Sequence, residues 1–317
     1  MKRRCLALSG GVGGAKLTQG LAACLAADEL LVVVNTADDF EHLGLLICPD
    51  LDTMLYTLSG RANPELGWGV RDETWRCMEA MADLGGETWF SLGDSDLATH
   101  LRRKVLLEQG NTLSEVTSGL FASLGVEHKV LPMSDQPVRT IVHTETGDLP
   151  FQNYFVRDRC APKVTGFTFE GIELAEPAPV LSEWLSLSEM AAVVICPSNP
   201  FVSVGPILAV PGFLDSIQNI GPVVAVSPII GGQAIKGPAA KMMAELKMPV
   251  TSLAVAEHYG QILDGFVIDQ QDAHLAPEIE ALGMRTLVTS TIMHDKQSRQ
   301  RLAQEVLEFT DELAVQK

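Results

Sequence analysis

A glycine-rich segment near the start of the chain has the residues best suited to binding an anion. Four glycines occur within five residues, directly after the apolar run 5–8 and Ser9: Gly10, Gly11, Gly13 and Gly14. Glycine adopts positive φ and lets a ligand approach the backbone, and the amides at the start of a following helix attract a phosphate. Lys16 adds a cation, although the spacing matches neither a Walker A loop nor a complete dinucleotide-binding fingerprint. The segment predicts a site for a phosphate ester, with a ligand-free strand-to-helix turn as the alternative.

Oxygen-bearing side chains follow the second predicted strand, 30–34. They comprise an amide, two hydroxyls and four carboxylates: Asn35, Thr36, Asp38, Asp39, Asp50, Asp52 and Thr53. Asp50 and Asp52 are two residues apart, so both would face one ligand in an extended or turn segment. Carboxylates beside a phosphate site favour Mg²⁺, which combines one or two of them with phosphate oxygens. Asp50 and Asp52 are therefore the predicted metal ligands, with a helix N-cap as the alternative for any single aspartate.

Two later predicted strands also end in polar loops. Ser198 and Asn199 follow the strand 192–196 and could contact a base or a hydroxyl. A second group follows the strand 223–226 and could provide a second phosphate contact: Ser227, Gly231, Gly232 and Lys236 or Lys241. Turn formation is the alternative for each loop by itself. Trp68 could stack on a flat ring or belong to the core, and His42 could enter the site or lie at the surface.

The predicted elements bring these loops to a common edge. Short apolar runs alternate with longer amphipathic segments, which is typical of a doubly wound, mainly parallel α/β sheet with helices on both faces. The predicted strands are 5–8, 30–34, 192–196, 223–226, 252–256, 265–268 and 285–289, and the predicted helices are 15–27, 74–84, 97–109, 113–124, 239–246 and 297–310. Ligands of such sheets bind beyond the carboxyl ends of the strands, where the strand order reverses.

One stretch, at about 137–173, departs from this alternation. It favours strands at 138–144, 151–156 and 165–169, and it predicts a small antiparallel β excursion from the main sheet. The chain has no linker-like boundary, so residues 1–317 are predicted to form a single Rossmann-like domain.

Charge and composition exclude several classes of partner. The 317 residues carry a formal net charge of −17, which argues against general nucleic-acid binding because that needs a basic surface. The six cysteines include no Cys-x-x-Cys pair, which favours reduced thiols in a cytoplasmic protein. No apolar stretch approaches the ~20 residues of a membrane span, so no membrane partner is expected.

Taken in order, these motifs resemble the 2-phospho-L-lactate transferase family of coenzyme F420 biosynthesis. The resemblance spans nearly the whole chain and rests on residues 9–16, 35–39, 49–53, 67–69, 197–200, 227–232 and 236–241. It implies a Rossmann-like, typically homodimeric enzyme that requires Mg²⁺. The implied reaction joins the deazaflavin alcohol Fo to a phospholactyl, phosphoenolpyruvyl or phosphoglyceryl group. That group comes from a guanosine diphosphate-linked donor, and GMP is released.

The resemblance also suggests roles for the carboxylates. Mg²⁺ on Asp50 and Asp52 would neutralise charge during a transfer that depends mainly on positioning. Asp38 or Asp39 would orient or deprotonate the attacking hydroxyl of Fo.

The remaining motifs would bind the two substrates. Ser198, Asn199 and the segment 227–241 would hold the nucleotide, and Trp68 would contact the deazaflavin ring. The chain departs modestly from the family pattern, since Ser290 stands where an aspartate is usual and Cys48 where a serine is usual. The alternative is a regulator of the gluconeogenesis-factor family, which binds a nucleotide sugar without transferase activity.

Overall fold

The fold is described by a computed structural model that covers residues 4–186, 191–218, 220–234 and 237–315. Its strands within these ranges are β1 (Arg4–Ser9), β2 (Leu30–Val34), β3 (Phe40–His42), β4 (Leu45–Ile47), β5 (Lys129–Pro132), β6 (Arg139–Thr144), β7 (Gly147–Pro150), β8 (Val164–Glu170), β9 (Ala191–Ile195), β10 (Val223–Val226), β11 (Ile229–Ile230), β12 (Gln233–Ala234), β13 (Gly265–Asp269) and β14 (Arg285–Thr289).

The α-helices of the same ranges are α1 (Gly11–Cys24), α2 (Pro49–Leu58), α3 (Arg76–Asp83), α4 (Asp94–Glu108), α5 (Leu113–Ser123), α6 (Pro179–Ser186), α7 (Gly205–Ala209), α8 (Phe213–Gln218), α9 (Ala239–Glu245), α10 (Ser252–Tyr259), α11 (Ala276–Glu280) and α12 (Lys296–Ala314). Two π-helical turns, Asn153–Arg157 and Pro200–Val204, lie near the candidate site described below. None of the helices in the described ranges is long and apolar enough to cross a membrane.

Seven parallel strands form the central sheet in the order β14-β13-β10-β9-β1-β2-β5. The chain builds outwards from β1 to β2 and β5 on one side, and then returns to build β9, β10, β13 and β14 on the other. The order therefore reverses between β1 and β9, which is where such sheets bind ligands. The predicted doubly wound, mainly parallel α/β fold is confirmed.

Helices cover both faces of this sheet, which explains why its strands appear in the sequence as short apolar runs. Leu6 and Leu8 of β1 contribute to the core cluster on one face, whereas Cys5 and Ala7 contribute to the cluster on the other. Helices α1 and α12 pack on the second face, while α9 and α10 pack on the first. Because successive side chains of a strand point to opposite faces, burial on both faces removes the polar alternation.

The predicted β excursion is present as an antiparallel sheet in the order β7-β6-β8. The predicted strand at 151–156 is wrong, because this stretch leads into the π-helical turn Asn153–Arg157. Tyr154 is completely buried in that turn. A short apolar run does not distinguish a strand from a buried helical turn, which accounts for the error.

Two further differences from the predicted elements concern α10 and β5. The predicted strand at 252–256 lies within α10, whose start is capped by the Thr251 hydroxyl accepting from the amide of Ala254. Strand β5 was not predicted; it is a short edge strand paired only with β2 in the sheet as described. In both cases neighbouring elements outweigh local sequence preference.

Candidate active site

A cavity of about 780 Å³ opens at the carboxyl edge of the sheet, where the strand order reverses. Both halves of the chain contribute to its lining: the glycine segment after β1, helix α2, the loops after β9 and β10, and residues 291–294. Segments that are far apart in sequence thus meet at the predicted place, because the carboxyl ends of parallel strands share one edge.

Helix α1 begins inside the glycine segment, and that segment borders the cavity. The amide of Gly10 donates to Ser198 Oγ at 3.0 Å, and the amide of Gly11 donates to Asp50 Oδ1 at 2.7 Å. Gly11 has a φ of +64°, a conformation that glycine adopts without steric cost. The segment therefore links three parts of the site: β1, the loop after β9 and the start of α2.

The next two glycines allow close packing. A Cβ atom at Gly13 would collide with the carbonyl oxygen of Pro197, and one at Gly14 would collide with the hydroxyls of Ser9 and Ser198. Gly13 lines the cavity, whereas Gly14 is buried beneath it. Only hydrogen fits at these positions, because the loop after β9 lies directly against the helix.

Lys16 lines the cavity and also connects two of its walls. Its Nζ donates to the carbonyl oxygen of Met293 at 3.2 Å. The same segment is held from the sheet by Asp269, whose carboxylate accepts from the amide of Thr291 at 2.8 Å. The predicted phosphate-site cation therefore also anchors residues 291–294 to α1.

Asp38 and Asp50 both line the cavity and are almost completely buried. Burial and the neighbouring carboxylate of Asp50 raise the pKa of Asp38 well above its ordinary value. Burial raises the pKa of Asp50 to about 6, although hydrogen bonds from Asn35 and Gly11 oppose the increase. Asp38 Oδ1 is buried and has no hydrogen-bond partner among the residues that the structure describes. Two neighbouring buried carboxylates, both with a raised pKa, form an environment that favours a cation.

Asp52 has a different environment, and the expectation that it shares an extended segment with Asp50 is wrong. Both residues belong to the first turn of α2, so their side chains project ~200° apart around the helix axis. Asp52 borders the cavity but forms a buried ion pair with Arg103 of α4. Burial alone would lower the pKa of Arg103, but the Asp52 carboxylate outweighs burial and raises this pKa above its ordinary value. Asp52 is therefore already neutralised by a cation of the chain.

Of the other predicted site residues between positions 35 and 53, one lines the cavity and the rest are buried outside its described lining. Asn35 is fully buried and donates to Asp50 Oδ2 at 3.0 Å, so it positions that carboxylate. Thr53 lines the cavity, whereas Thr36 and Asp39 are buried outside its described lining. Burial raises the pKa of Asp39 to about 7 against the opposing charge of Arg139.

Ser198, Asn199 and Ser227 all line the cavity. Ser198 accepts the hydrogen bond from the glycine segment, and the Asn199 side chain accepts from two amides of the turn Pro200–Val204. Ser227 donates to the carbonyl oxygen of Ile229 at 2.9 Å. Each of these polar side chains thus shapes its own loop in addition to bordering the cavity.

The predicted second phosphate contact after β10 is not assembled by the residues that the structure describes. Gly231 and Gly232 form the turn between β11 and β12 with φ of +56° and +76°, outside the cavity lining. Lys236 lies outside the described residues. Lys241 forms an ion pair with a glutamate one turn along α9.

Aromatic side chains line another part of the cavity. Trp68 is 45% exposed at its border, and Trp89 and Phe90 also line it. Both of the latter pack edge-on against Phe40 or His42, so they are held in a cluster. His42 is buried in this cluster and does not enter the described lining, and burial lowers its pKa.

Sequence reasoning missed a polar network beside the aromatic side chains. Tyr56 of α2 and Asp96 and His100 of α4 line the cavity, and Arg103 lies behind them. The Tyr56 hydroxyl donates to Asp96 Oδ1 at 2.6 Å. The spacing of residues 96, 100 and 103 places three ionisable side chains on one helix face, which could have indicated a buried polar stripe.

No group of three or more His, Cys, Asp or Glu side chains in the described ranges is arranged to hold a metal ion. This agrees with a magnesium site of one or two carboxylates, because Mg²⁺ takes its remaining ligands from water and substrate phosphates. A glycine turn at a helix start, placed with buried carboxylates at the reversal point of an α/β sheet, defines a protein that binds phosphate esters or nucleotides.

Comparison with known proteins identifies the family. The model of the 2-phospho-L-lactate transferase CofD family matches residues 5–309. The phosphoenolpyruvate transferase of Streptomyces griseus subsp. griseus is 41% identical over 98% of this chain and 99% of its own length. The 2-phospho-L-lactate transferase of Methanococcoides burtonii is 40% identical over 94% and 97%. The chain belongs to the 2-phospho-L-lactate transferase CofD family, and it is accordingly a transferase of coenzyme F420 biosynthesis.

Solved structures show the same fold. A crystallised member of the UPF0052 family from Bacillus halodurans superposes with a TM-score of 0.64 at 17% identity, and the match covers 97% of this chain and 99% of that one. At this identity the likeness concerns the fold alone.

Proposed function

We propose that this transferase moves a phospholactyl, phosphoenolpyruvyl or phosphoglyceryl group from its guanosine diphosphate-linked donor to the ribityl hydroxyl of the deazaflavin Fo, with release of GMP. The observation that carries the proposal is that three kinds of group line one cavity. The same cavity is lined by the glycine segment, by aromatic side chains and by buried carboxylates. Its volume of about 780 Å³ is large for a small-molecule site and suits two substrates together.

The reaction requires little covalent chemistry from the protein. The hydroxyl oxygen of Fo attacks the phosphorus that bears the acid, the bond from this phosphorus to the GMP oxygen breaks, and GMP leaves with the electron pair. Such transfers depend on alignment and charge neutralisation. The start of α1 at Gly11 would hold donor phosphates, and Lys16 would add positive charge. The hydroxyl proton must also leave. We assign its acceptance, or the orientation of the hydroxyl, to Asp38, because Asp39 lies outside the described lining.

We assign Mg²⁺ to Asp38 and Asp50 in place of the expected pair Asp50 and Asp52. Asp38 and Asp50 are buried and line the same cavity, and the Asp50 carboxylate adds to the rise in the pKa of Asp38. Within the described residues, Asp38 Oδ1 has no hydrogen-bond partner. Asp52 is instead paired with Arg103. When bound there, the ion would neutralise the phosphate oxygens of the donor.

The assignment of Mg²⁺ to Asp38 and Asp50 predicts different effects for substitutions of the two α2 carboxylates, Asp50 and Asp52. Asp50→Asn should reduce transfer on the order of 100-fold and raise the Mg²⁺ concentration for half-maximal rate, because it removes a ligand charge. Asp52→Asn should reduce stability without changing that Mg²⁺ concentration. Initial rates across a magnesium titration measure both variants. A raised Mg²⁺ requirement in both Asp50→Asn and Asp52→Asn would restore the original pair.

The transferred acid is the next question, and sequence identity does not select it. A relative named phosphoenolpyruvate transferase and one named 2-phospho-L-lactate transferase are 41% and 40% identical to this chain. Since the candidate acids differ by a few atoms, local pocket shape will decide among them.

A mass-spectrometric turnover assay tests the proposal. Purified protein, Fo, GTP, Mg²⁺ and a guanylyltransferase that generates the donor are combined with 2-phospholactate, phosphoenolpyruvate or 3-phosphoglycerate in separate reactions. An Fo adduct and GMP that depend on this protein and on Mg²⁺ support the function and name the acid. If a known transferase forms the adduct and this protein forms none, a nucleotide-sugar-binding regulator becomes the better interpretation.

A further inference from the structure

The cavity has an aromatic compartment, defined here by Ile47, Trp68, Trp89 and Phe90 together with Tyr56 and Asp96. Trp68 and Asp96 also share the lining of a small adjoining cavity, so the two residues lie close to each other. Flat apolar walls next to an anionic group suit a planar ring system with polar atoms at its edge. The compartment does not suit the phosphates of the donor, because its accessible polar group is a carboxylate.

Asp96 belongs to the first turn of α4 and is held in place from several sides. Its amide and that of Ser95 donate to the Glu73 carboxylate at 3.1 and 2.8 Å. Its Oδ1 accepts from the Tyr56 hydroxyl at 2.6 Å, and its Oδ2 lies 3.3 Å from His100 Nε2. The Asp96 side chain is 15% exposed, whereas that of His100 is fully buried. Asp96 lines the cavity with a partly exposed side chain, so a ligand can reach it.

The side chains behind Asp96 keep it negatively charged. Arg103 Nη1 lies 3.1 Å from His100 Nδ1, and Arg103 also pairs with Asp52. Burial by itself would raise the pKa of Asp96, but the hydrogen bond and charge of His100 and the Tyr56 hydroxyl outweigh burial and lower it. An ionised carboxylate has acceptor sites only, so Asp96 can bind a ligand group that donates a hydrogen and disfavours one that accepts.

We propose that Asp96 is a specificity-determining residue for the acceptor substrate, whose ring edge donates an N–H or O–H hydrogen bond to its carboxylate. The aromatic side chains position the ring faces, and Asp96 selects which edge enters the compartment. This inference rests on the proposed function, since it takes the deazaflavin Fo as the acceptor. A deazaflavin of this kind offers two donors at opposite ends, the imide N–H of its pyrimidinedione ring and the hydroxyl of its phenolic ring.

Binding of ring analogues tests the inference without turnover. Quenching of deazaflavin fluorescence gives the Kd of wild-type protein for Fo, for an N-methylated imide analogue and for an O-methylated phenol analogue. We expect one methylation to weaken binding on the order of 10- to 100-fold, because a buried acceptor then loses its partner. The analogue that binds weakly identifies which donor faces Asp96.

Substitutions of Asp96 test whether the weaker binding of the methylated analogue depends on its carboxylate. In Asp96→Asn the amide nitrogen replaces a carboxylate oxygen, and Asp96→Ala removes the acceptor and leaves room for the methyl group. Both variants should bind Fo more weakly. Asp96→Ala should bind the methylated analogue as well as it binds Fo, and Asp96→Asn, which keeps one acceptor oxygen, should discriminate less than the wild type. Asp94→Asn is the matched control: it lies in the same helix turn, outside the described cavity lining, with its carboxylate bonded to the Thr74 hydroxyl and the Cys77 amide. It should discriminate between the ligands as the wild type does.

The outcomes separate this inference from the function on which it rests. A wild type that binds Fo and both analogues equally overturns the role of Asp96, and so do Asp96 variants that retain wild-type discrimination. A folded wild type that neither binds Fo nor forms the adduct overturns the proposed function and the inference with it. Thermal unfolding of each variant shows whether weaker binding reflects a loss of folded protein.

Discussion

Gly13 lines the cavity with no room for a side chain, because the carbonyl oxygen of Pro197 occupies the position a Cβ would take. The contact joins α1 to the loop after β9, so it supports both the packing of the site and the approach of a phosphate to the backbone. At Gly119, within α5, a Cβ would meet no atom within 4 Å beyond the adjacent backbone of its own helix, as far as the described residues extend. The two glycines therefore allow a controlled comparison.

Gly13→Ala should reduce stability by about 1–3 kcal/mol, because the backbone carbonyl must move to relieve the overlap. It should also weaken GMP binding, since the glycine segment is displaced. Gly119→Ala should stabilise the protein by about 0.5–1 kcal/mol, because alanine loses less conformational freedom in a helix. Urea unfolding measures both changes, and calorimetric titration with GMP measures binding. Equal effects of the two substitutions would contradict the steric argument.

At the scale of elements, helices α2 and α4 are joined by a buried ion pair. Arg103 is 2% exposed, pairs with Asp52 and donates to the carbonyl oxygen of Leu46. A buried pair often contributes little net stability, but loss of one partner leaves an uncompensated charge. The pair therefore restrains the geometry between α2 and α4 more than it adds stability.

Arg103→Met should destabilise the protein by about 3–5 kcal/mol, because it leaves the Asp52 carboxylate buried without its cation. Combining Arg103→Met with Asp52→Leu should recover much of this loss, since neither charge then remains. Urea unfolding of the two single variants and the double variant forms the thermodynamic cycle. If the double variant shows the simple sum of both single losses, the two residues do not act as a pair.

The aromatic cluster around β3 should also make stability dependent on pH. Burial lowers the pKa of His42 below its ordinary value of 6.5, so the folded state binds its proton less readily than the unfolded state. The contribution of His42 to stability is therefore intact above pH 6.5 and declines as the pH falls through that value towards the lower folded-state pKa. His42→Phe should show a smaller loss of urea midpoint between pH 7 and pH 5 than the wild type. A parallel decline in both proteins would assign the acid sensitivity to other groups.

At the scale of the whole molecule, ligand binding must stabilise an assembly of distant segments. The site draws on residues from both sides of the sheet, so a ligand that contacts them favours the folded chain as a unit. At 100 times its Kd, GMP should add about 2.7 kcal/mol, which corresponds to about 4 °C in a chain of this length. Differential scanning fluorimetry with GMP, and with inorganic phosphate as control, measures the shift. A melting temperature unchanged by saturating GMP would contradict nucleotide binding. The formation of a homodimer, which the family resemblance implied, stays a prediction.

How much of the site follows from sequence depends on how far apart the interacting residues are. The glycine segment, the apolar strand runs and the polar strand ends are local patterns, and they predicted the parallel fold and the edge at which the cavity opens. The aspartates at 38 and 50 were predicted in the same way. Asp96, His100 and Arg103 were missed, because an ionisable stripe on a helix usually faces solvent.

The sequence by itself determined the α/β class, the antiparallel excursion, the glycine turn and the family, because each is encoded in residues that are neighbours or stand in a fixed order. Only the tertiary structure decided which groups meet. Gly10 and Ser198 are 188 residues apart and share a hydrogen bond. The directions of the two aspartates of α2 were also decided only by the tertiary structure. Asp52 pairs with Arg103 of α4, whereas Asp50 accepts a hydrogen bond from the glycine segment. Such pairings depend on how elements pack, which local composition does not specify.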